Sequence, residues 1–509
     1  MRVLALLLIA AIPALADDRL TCFSPDAGSV AKIAACRAAA NDATLPNATR
    51  ADALGARANA LIAEGRSADA LADLDAALKL APNDTRLLLA RGQLRQGTAA
   101  EDDFSAVLAK DPANAAALIA RGEMRLRRKA TAEGLTDMRA ARRYAPNNPL
   151  PFRVLGKASL EQGKLLEAVA DLSEAARLDP RDAESLTLLG QAHLRSDHSA
   201  EALAAFTAAL AIAPANVDAL RGRATAAGRA ESFPAAIADL TALLKAQPDD
   251  AAARQARGVA RLQSGDAKGA AEDFTVLLKI APADAELLFF RATAKLRAAD
   301  LPAAEADFSA VLRVRPQEPD ALNGRGLARL LQGQFATAEA DFSASLAANP
   351  NAGDVLANRG QLRFMRGNFA AAETDLAAAL ARPGANPTLA LWHTIAARRL
   401  HRPDMLARSA QQLSPAWPAD RWPMAAVRYF LWETGADALR TVDGTLQRCE
   451  AAFYLGQAAL LNGKRAEAEK EFRAAAAADA RGSFAKIAAQ AELARLEKDK
   501  GPGAAAPSP

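Results

Sequence analysis

Eight prolines in this 509-residue chain recur at a constant interval of 34 residues. They are Pro112, Pro146, Pro180, Pro214, Pro248, Pro282, Pro316 and Pro350. Seven equal intervals in succession are not expected by chance in a chain with 26 prolines. A fixed period of this length is typical of solenoids, in which one supersecondary unit is stacked many times. The chain is therefore expected to fold as a row of similar repeats.

Small and apolar residues hold fixed places inside each repeat when the proline is counted as position 32. In the repeat that ends at Pro350, Gly326 is at position 8, Gly333 at 15, Ala338 at 20 and Phe342 at 24. Small residues at positions 8 and 20 let two antiparallel helices approach closely, and the larger residue at 24 fills the gap between repeats. The proline ends the second helix, because it lacks an N–H group and clashes with the preceding turn.

This pattern resembles the tetratricopeptide repeat (TPR) family. The resemblance implies an all-α fold, a TPR α-solenoid in which helix-turn-helix repeats form a right-handed superhelix. About ten repeats are predicted over residues 51–384. The repeat that ends at Pro112 is four residues short, and its hairpin turn around Gly97–Glu101 is expected to be tightened. Solenoids mostly bind other chains and rarely catalyse reactions, so the resemblance implies protein binding.

Two further columns carry opposite charges. Position 7 is arginine in most repeats and position 23 is aspartate in most repeats. The one full repeat with Ala205 in place of aspartate has Leu189 in place of arginine. The two positions lie on facing helices of one hairpin, which predicts a repeated Arg–Asp bridge. Bidentate Arg–carboxylate pairs position helices well.

Position 11, where the TPR family favours tyrosine, is mostly basic in this chain. The members singled out as candidate partner-binding residues are Arg261, Lys295, Arg329 and Arg363. One interpretation is structural: these cations bond acids on the second helix or in the neighbouring repeat. The other is functional: the cations form a ladder that captures an acidic or C-terminal carboxylate segment of a partner.

The N-terminus has the features of a secretory signal. Arg2 is followed by an apolar stretch, Val3 to Leu15, and Ala14-Leu15-Ala16 form a cleavage motif before Asp17. Residues 1–16 are therefore predicted to be removed, and a bacterial periplasm is the expected location. In an exported chain, Cys22 and Cys36 of the segment 17–50 are expected to form a disulfide; a reactive dithiol is disfavoured because the pair is not CxxC.

The regular spacing stops after Pro383, and all four tryptophans follow it. The region 385–448 is rich in aromatic residues, a lone repeat with a charged capping helix is predicted over 449–500, and the tail 501–509 is expected to be disordered. The tryptophans are either core or an exposed surface for a partner, with Trp422 and Trp432 as candidates. The run of aromatic residues and glycines here is similar to the C-terminal part of NlpI-type periplasmic TPR adaptor proteins. That similarity implies cell-wall endopeptidases and a processing protease as partners.

No pattern of residues indicates catalysis, a cofactor or a metal site. His193 and His198 are five residues apart without a third ligand nearby, and no nucleophile elbow, phosphate loop or HExxH string is present. Arginines alternate with acids, and the formal net charge is +4, so a nucleic-acid surface is not expected. No segment after the signal is apolar enough to span a bilayer. An exported adaptor or scaffold is the first functional hypothesis, and an assembly factor for an outer-membrane or secretion complex is the alternative.

Overall fold

The computed structural model describes residues 18–382, 386–402, 406–407, 421–480 and 482–499. Within these ranges the regular structure is helical and contains no strand. The chain divides into two compact units, Met1–Ser232 and Phe233–Pro509. The expectation of an all-α fold made of paired helices is confirmed. The predicted signal at 1–16 and the predicted tail at 501–509 lie outside the described residues.

In the N-terminal unit, one helix follows another with short connections. The helices are α1 (Ser29–Asn41), α2 (Asn47–Ala63), α3 (Ser67–Leu80), α4 (Thr85–Leu94), α5 (Thr98–Lys110), α6 (Ala115–Arg127), α7 (Thr131–Tyr144), α8 (Pro149–Glu161), α9 (Leu165–Leu178), α10 (Ala183–Arg195), α11 (Ser199–Ile212) and α12 (Val217–Arg229). The predicted disulfide between Cys22 and Cys36 is present, and both residues are buried.

The C-terminal unit continues the same alternation as far as α21. Its helices are α13 (Phe233–Ala246), α14 (Ala251–Ser264), α15 (Ala267–Ile280), α16 (Ala285–Arg297), α17 (Leu301–Val314), α18 (Pro319–Leu331), α19 (Phe335–Ala348), α20 (Gly353–Met365), α21 (Phe369–Leu380), α22 (Pro387–Arg399), α23 (Met424–Phe430), α24 (Asp437–Arg440), α25 (Thr445–Leu461), α26 (Arg465–Ala477) and α27 (Phe484–Lys498).

The first helix of most repeats begins at a side-chain cap. An aspartate or asparagine precedes the helix, and its side-chain oxygen accepts a hydrogen bond from a backbone N–H of the first turn, which would otherwise lack a partner. These caps are Asp84, Asn114, Asn148, Asp182, Asn216, Asp250 and Asp284.

The turn inside each helix pair requires a left-handed residue at position 15. Glycine supplies it at Gly163, Gly265 and Gly333, with φ of 74°, 89° and 77°. Other repeats hold the same conformation without glycine, at Lys129, Asp197, Glu231 and Ala299. The turn is therefore set by the helix pairing rather than by glycine alone.

Close packing of the two helices depends on the small residue at position 8. A Cβ atom added at Gly190 would lie 2.7 Å from the ring of Phe206, the buried residue at position 24 of the same repeat. The same ring lies 2.2 Å from a Cβ built at Gly222, in the next repeat. The expected roles of these positions, close approach at 8 and gap filling at 24, are confirmed.

The predicted Arg–Asp bridges are also present. Arg257 donates from Nε and Nη2 to both carboxylate oxygens of Asp273, at 2.9 and 2.6 Å, and the other pairs repeat this geometry. Other such pairs include Arg57–Asp73, Arg91–Asp103, Arg121–Asp137, Arg291–Asp307, Arg325–Asp341 and Arg359–Asp375. Asp171, whose own repeat has Leu155 at position 7, instead accepts from Arg142 at 2.7 Å.

The short repeat differs from its prediction. The turn between α4 and α5 keeps three residues, Arg95 to Gly97, as do the turns between α6 and α7 and between α8 and α9. The missing residues come from the helices, since α4 has 10 residues where α6 and α8 have 13, and α5 has 13 where α7 has 14. The expectation of a tightened turn was therefore wrong: α4 ends one turn early.

The last helices enclose an aromatic core. Trp392 and Phe453 stack with ring centroids 5.0 Å apart, and Phe364 meets Trp392 edge-on at 5.2 Å. The predicted lone repeat is formed by α25 and α26, where a Cβ at Gly456 would lie 2.6 Å from Phe472. The predicted polar cap, α27, also contributes a fully buried acid, Glu492. Its carboxylate accepts hydrogen bonds from Arg399 and Gln457, which satisfy it inside the core.

Candidate partner-binding surfaces

The four basic residues at position 11 lie beside the Arg–Asp bridges. The terminal nitrogens of Arg261 and Lys295 lie 2.8 and 2.7 Å from Asp273 and Asp307. Arg329 and Arg363 each bond two acids, one on the second helix of their own repeat and one in the preceding repeat. Arg329 bonds Asp341 and Glu305, and Arg363 bonds Asp375 and Glu339, at distances of 2.8 to 2.9 Å.

These contacts match the structural interpretation of the column. Each of the four side chains is only about one-fifth exposed. The same arrangement occurs at Arg125, whose hydrogen bond lowers the pKa of Glu101 and keeps that acid ionised. A partner would have to compete with internal carboxylates to bind these cations. A role in partner binding remains a prediction for this column.

The two candidate tryptophans have different surroundings. Trp422 is half-buried, and its Nε1 donates to Glu450 at 2.5 Å. Burial raises the pKa of the Glu450 carboxyl, and the hydrogen bond from Trp422 acts in the opposite direction. Trp432 has 72% of its surface exposed. It borders a cavity of about 360 Å³ whose wall includes Tyr429, Phe430 and Leu461. Of the pair, Trp432 is the one displayed on the surface.

A second cavity, in the N-terminal unit, was not identified from the sequence. It lies between the end of α4 and the exposed face of α6, and its volume is about 860 Å³. Apolar contacts come from Leu94, Phe104, Ile119 and Met124. The four residues missing from this repeat were the sequence signal that could have located this cavity.

No group of three or more histidine, cysteine or acidic side chains among the described residues is arranged to hold a metal ion. None of the helices described is both long and apolar enough to cross a bilayer. His193 and His198 have ring centroids 6.0 Å apart, and burial lowers the pKa of His193.

The repeat geometry agrees with a comparison of the sequence with models of protein families. The model described as tetratricopeptide repeat matches residues 153–217, 221–285, 291–353 and 332–388. The chain contains tetratricopeptide repeats. Helix pairs outside these ranges, such as α6 with α7, have the same Arg–Asp bridge as those inside them.

Two of the three similar solved structures below are described as TPR proteins. A TPR protein from Parabacteroides merdae is 20% identical, covering 49% of this chain and 98% of its own, with a TM-score of 0.37. MamA from Desulfovibrio magneticus is 21% identical over 33% of this chain and 96% of its own, with a TM-score of 0.31. YrrB, described as a TPR protein with an unusual peptide-binding site, is 22% identical over 40% of this chain and 89% of its own, with a TM-score of 0.27. No curated protein sequence matches the chain.

Proposed function

We propose that this chain is an exported scaffold that binds proteins of the cell envelope through its TPR repeats. TPR repeats imply a protein–protein interaction scaffold. The observation that carries the proposal is that most of the charged side chains that recur at the same position from repeat to repeat are used in internal ion pairs. The bridging arginines and aspartates bond one another inside the helix pairs, which leaves the faces of the first helices to vary from repeat to repeat.

Export to the periplasm is supported by two features of the N-terminal region. The segment with Arg2, the apolar stretch and Ala14-Leu15-Ala16 has the order of a secretory signal. The bond between Cys22 and Cys36 suits an oxidising compartment, since disulfides persist there and are rare in the cytosol. Mass spectrometry of the protein from fractionated bacterial cells tests this. We expect a periplasmic chain that begins at Asp17, and a cytoplasmic chain that retains Met1 would contradict export.

Cell-wall hydrolases or a protease are the proposed partners. The similarity of the C-terminal region to NlpI-type adaptors supports this choice, and the exposed Trp432 beside a cavity supplies a surface there for an aromatic anchor. The alternative is an assembly factor for an outer-membrane or secretion complex.

Affinity capture from a bacterial envelope fraction distinguishes the two. The bait is the tagged full chain, with Trp432→Ala as the test variant and Leu446→Ala, at another exposed apolar residue of the same unit outside the cavity, as the control. Recovery of soluble hydrolases or a protease, reduced by Trp432→Ala, supports the adaptor. Recovery of integral membrane proteins instead supports the assembly factor. Self-association alone contradicts both.

A further inference from the structure

The end of α4 lacks a side chain that other repeats contain. Position 12 of the first helix is leucine in most repeats, including Leu160 of α8 and Leu330 of α18, and both of these are buried. In the short repeat this position falls on Gln96, which lies in the turn after α4 has ended and is exposed. The cavity of about 860 Å³ lies at this place and includes Gln96 in its wall.

The cavity has an apolar floor that is only partly covered. Leu94 and Ile119 pack against the core of the N-terminal unit from its edge and stay half-buried. At position 5, where α6 has Ile119, the next three first helices have Arg153, Thr187 and Arg221. Position 5 is apolar also at Leu89 of α4, so the two first helices that flank the short turn both have an apolar residue here, unlike the three that follow. The volume is within the range of roughly 300–1,000 Å³ that is usual for ligand pockets.

The rim has polar groups that no other side chain satisfies. Within the described residues, Gln93, Gln96, Glu123 and Arg127 have no side-chain hydrogen bond or ion pair. The other two arginines of the wall bond acids, Arg95 with Asp75 and Asp103, and Arg128 with Glu101. Arg127 is thus the cation of the rim that bonds no internal acid, although Glu123 lies one helical turn before it, and the two glutamine amides suit the N–H and C=O groups of a peptide backbone.

We propose that this cavity binds an extended peptide segment of a partner protein. A large aliphatic or aromatic side chain of the segment fills the place of the missing leucine, against Leu94 and Ile119. A carboxylate of the segment pairs with Arg127. The inference rests on the proposed scaffold function and names one binding site and its ligand chemistry.

The test uses the full mature chain and a phage-displayed library of random linear heptapeptides. We expect selected peptides to share a large apolar residue and an acidic residue a few positions away. Binding of one selected synthetic peptide is then measured by fluorescence anisotropy. Ile119→Trp, which places a bulky ring on the apolar floor of the cavity, should weaken binding at least tenfold. Arg127→Gln should weaken it about three- to tenfold, more strongly at low salt than at high salt.

The control is Arg181→Gln, which removes an exposed charge from a loop of the same unit outside the cavity and should leave binding unchanged. Circular dichroism checks that each variant is folded. If Ile119→Trp misfolds, Arg127→Gln still tests the site, because Arg127 is exposed and its replacement should not disturb the fold. Peptides that bind both variants as tightly as wild type would overturn the cavity site while leaving the scaffold function intact. Selection of no peptide would also overturn the site, and the scaffold function itself fails only if envelope capture recovers no partner.

Discussion

Most bridging aspartates join two cations to the second helix of their repeat. Asp307 accepts from Nε and Nη2 of Arg291, at 2.7 and 2.8 Å, and from Nζ of Lys295 at 2.7 Å, and it is buried. These bonds satisfy the carboxylate in a place that water hardly reaches. Many of the arginines in the repeats are therefore paired with aspartates inside the helix pairs, where they hold the two helices together.

Removal of Asp307 tests this use of charge. Asp307→Ala leaves Arg291 and Lys295 without their shared partner, and both are about four-fifths buried. We expect a loss of about 2–3 kcal/mol in the free energy of unfolding, somewhat below the cost for a fully buried pair because both cations retain some water. Amide hydrogen exchange resolved by mass spectrometry measures it as the local opening free energy of α16 and α17.

The matched variant copies a repeat in which the aspartate and both of its cationic partners are absent. Arg291→Leu with Lys295→His and Asp307→Ala reproduces the natural combination of Leu189, His193 and Ala205. It should lie within about 1 kcal/mol of wild type, because a missing ion pair costs less than a broken one. If this triple variant is less stable than Asp307→Ala alone, the three side chains do not act as a unit.

The left-handed residue at position 15 allows a gain in stability. Ala299 has φ of 60°, where the neighbouring repeats have Gly265 and Gly333. Ala299→Gly relieves a conformation that costs roughly 1–2 kcal/mol for a residue with a Cβ atom, against roughly 0.5–1 kcal/mol of added chain entropy. We expect the local opening free energy of α16 and α17, measured by amide hydrogen exchange, to rise by up to about 1 kcal/mol. Gly333→Ala is the reverse change and should lower the same quantity for α18 and α19; equal effects of both substitutions would contradict this explanation.

At the scale of one helix, α12 offers two glycines with opposite expected effects. A Cβ at Gly222 would lie 2.2 Å from Phe206, whereas a Cβ at Gly228 meets nothing within 4 Å. Gly222→Ala should cost about 1–3 kcal/mol through overpacking, and Gly228→Ala should stabilise by about 0.5–1 kcal/mol because alanine favours the helix. Thermal unfolding of the two variants compares them directly. A gain from Gly222→Ala would mean that α12 can move away from the ring.

The columns of the repeat could be predicted because each is one contact repeated many times. Gly190 with Phe206 and Arg257 with Asp273 are such contacts, and both follow from positions within a single hairpin. The end of α4 could not be predicted in this way. Two contacts, the bridge between Arg91 and Asp103 and the packing of Gly92 on Phe104, hold α4 against α5. The deletion therefore shortens the C-terminal end of α4, beyond these contacts.

The tryptophans show a second limit of prediction from the sequence. Trp392 is buried against Phe453, and Trp432 is exposed, although both belong to the same aromatic stretch. Burial in this region depends on contacts between helices far apart in the chain, such as that of Arg399 with Glu492. No fixed period relates such residues, and the sequence alone left core and surface as open alternatives.

At the scale of the whole molecule, a repeat array unfolds piece by piece from its ends, since each repeat is stabilised mainly by its neighbours. The disulfide lies at one such end of the described chain. Cys36 belongs to α1, which packs on α2, and Arg50 of α2 donates to the carbonyl of Ala40 at 3.0 Å. The bond to Cys22 closes a loop across 14 residues of sequence. For a loop of this size the chain-entropy model gives roughly 3 kcal/mol.

The effect of removing this disulfide should therefore be local. In Cys22→Ser with Cys36→Ser, we expect amide hydrogen exchange to accelerate about 100-fold in α1, which is the 3 kcal/mol expressed as an opening equilibrium. Exchange in α8 and α10 of the same unit should stay within about twofold of wild type, because their neighbours are unchanged. Mass spectrometry of exchanged peptides resolves the two regions, and wild type treated with a reductant serves as a chemical control. Faster exchange throughout the unit would mean that it unfolds as a single cooperative block, contrary to a repeat array in which each helix pair depends on the next.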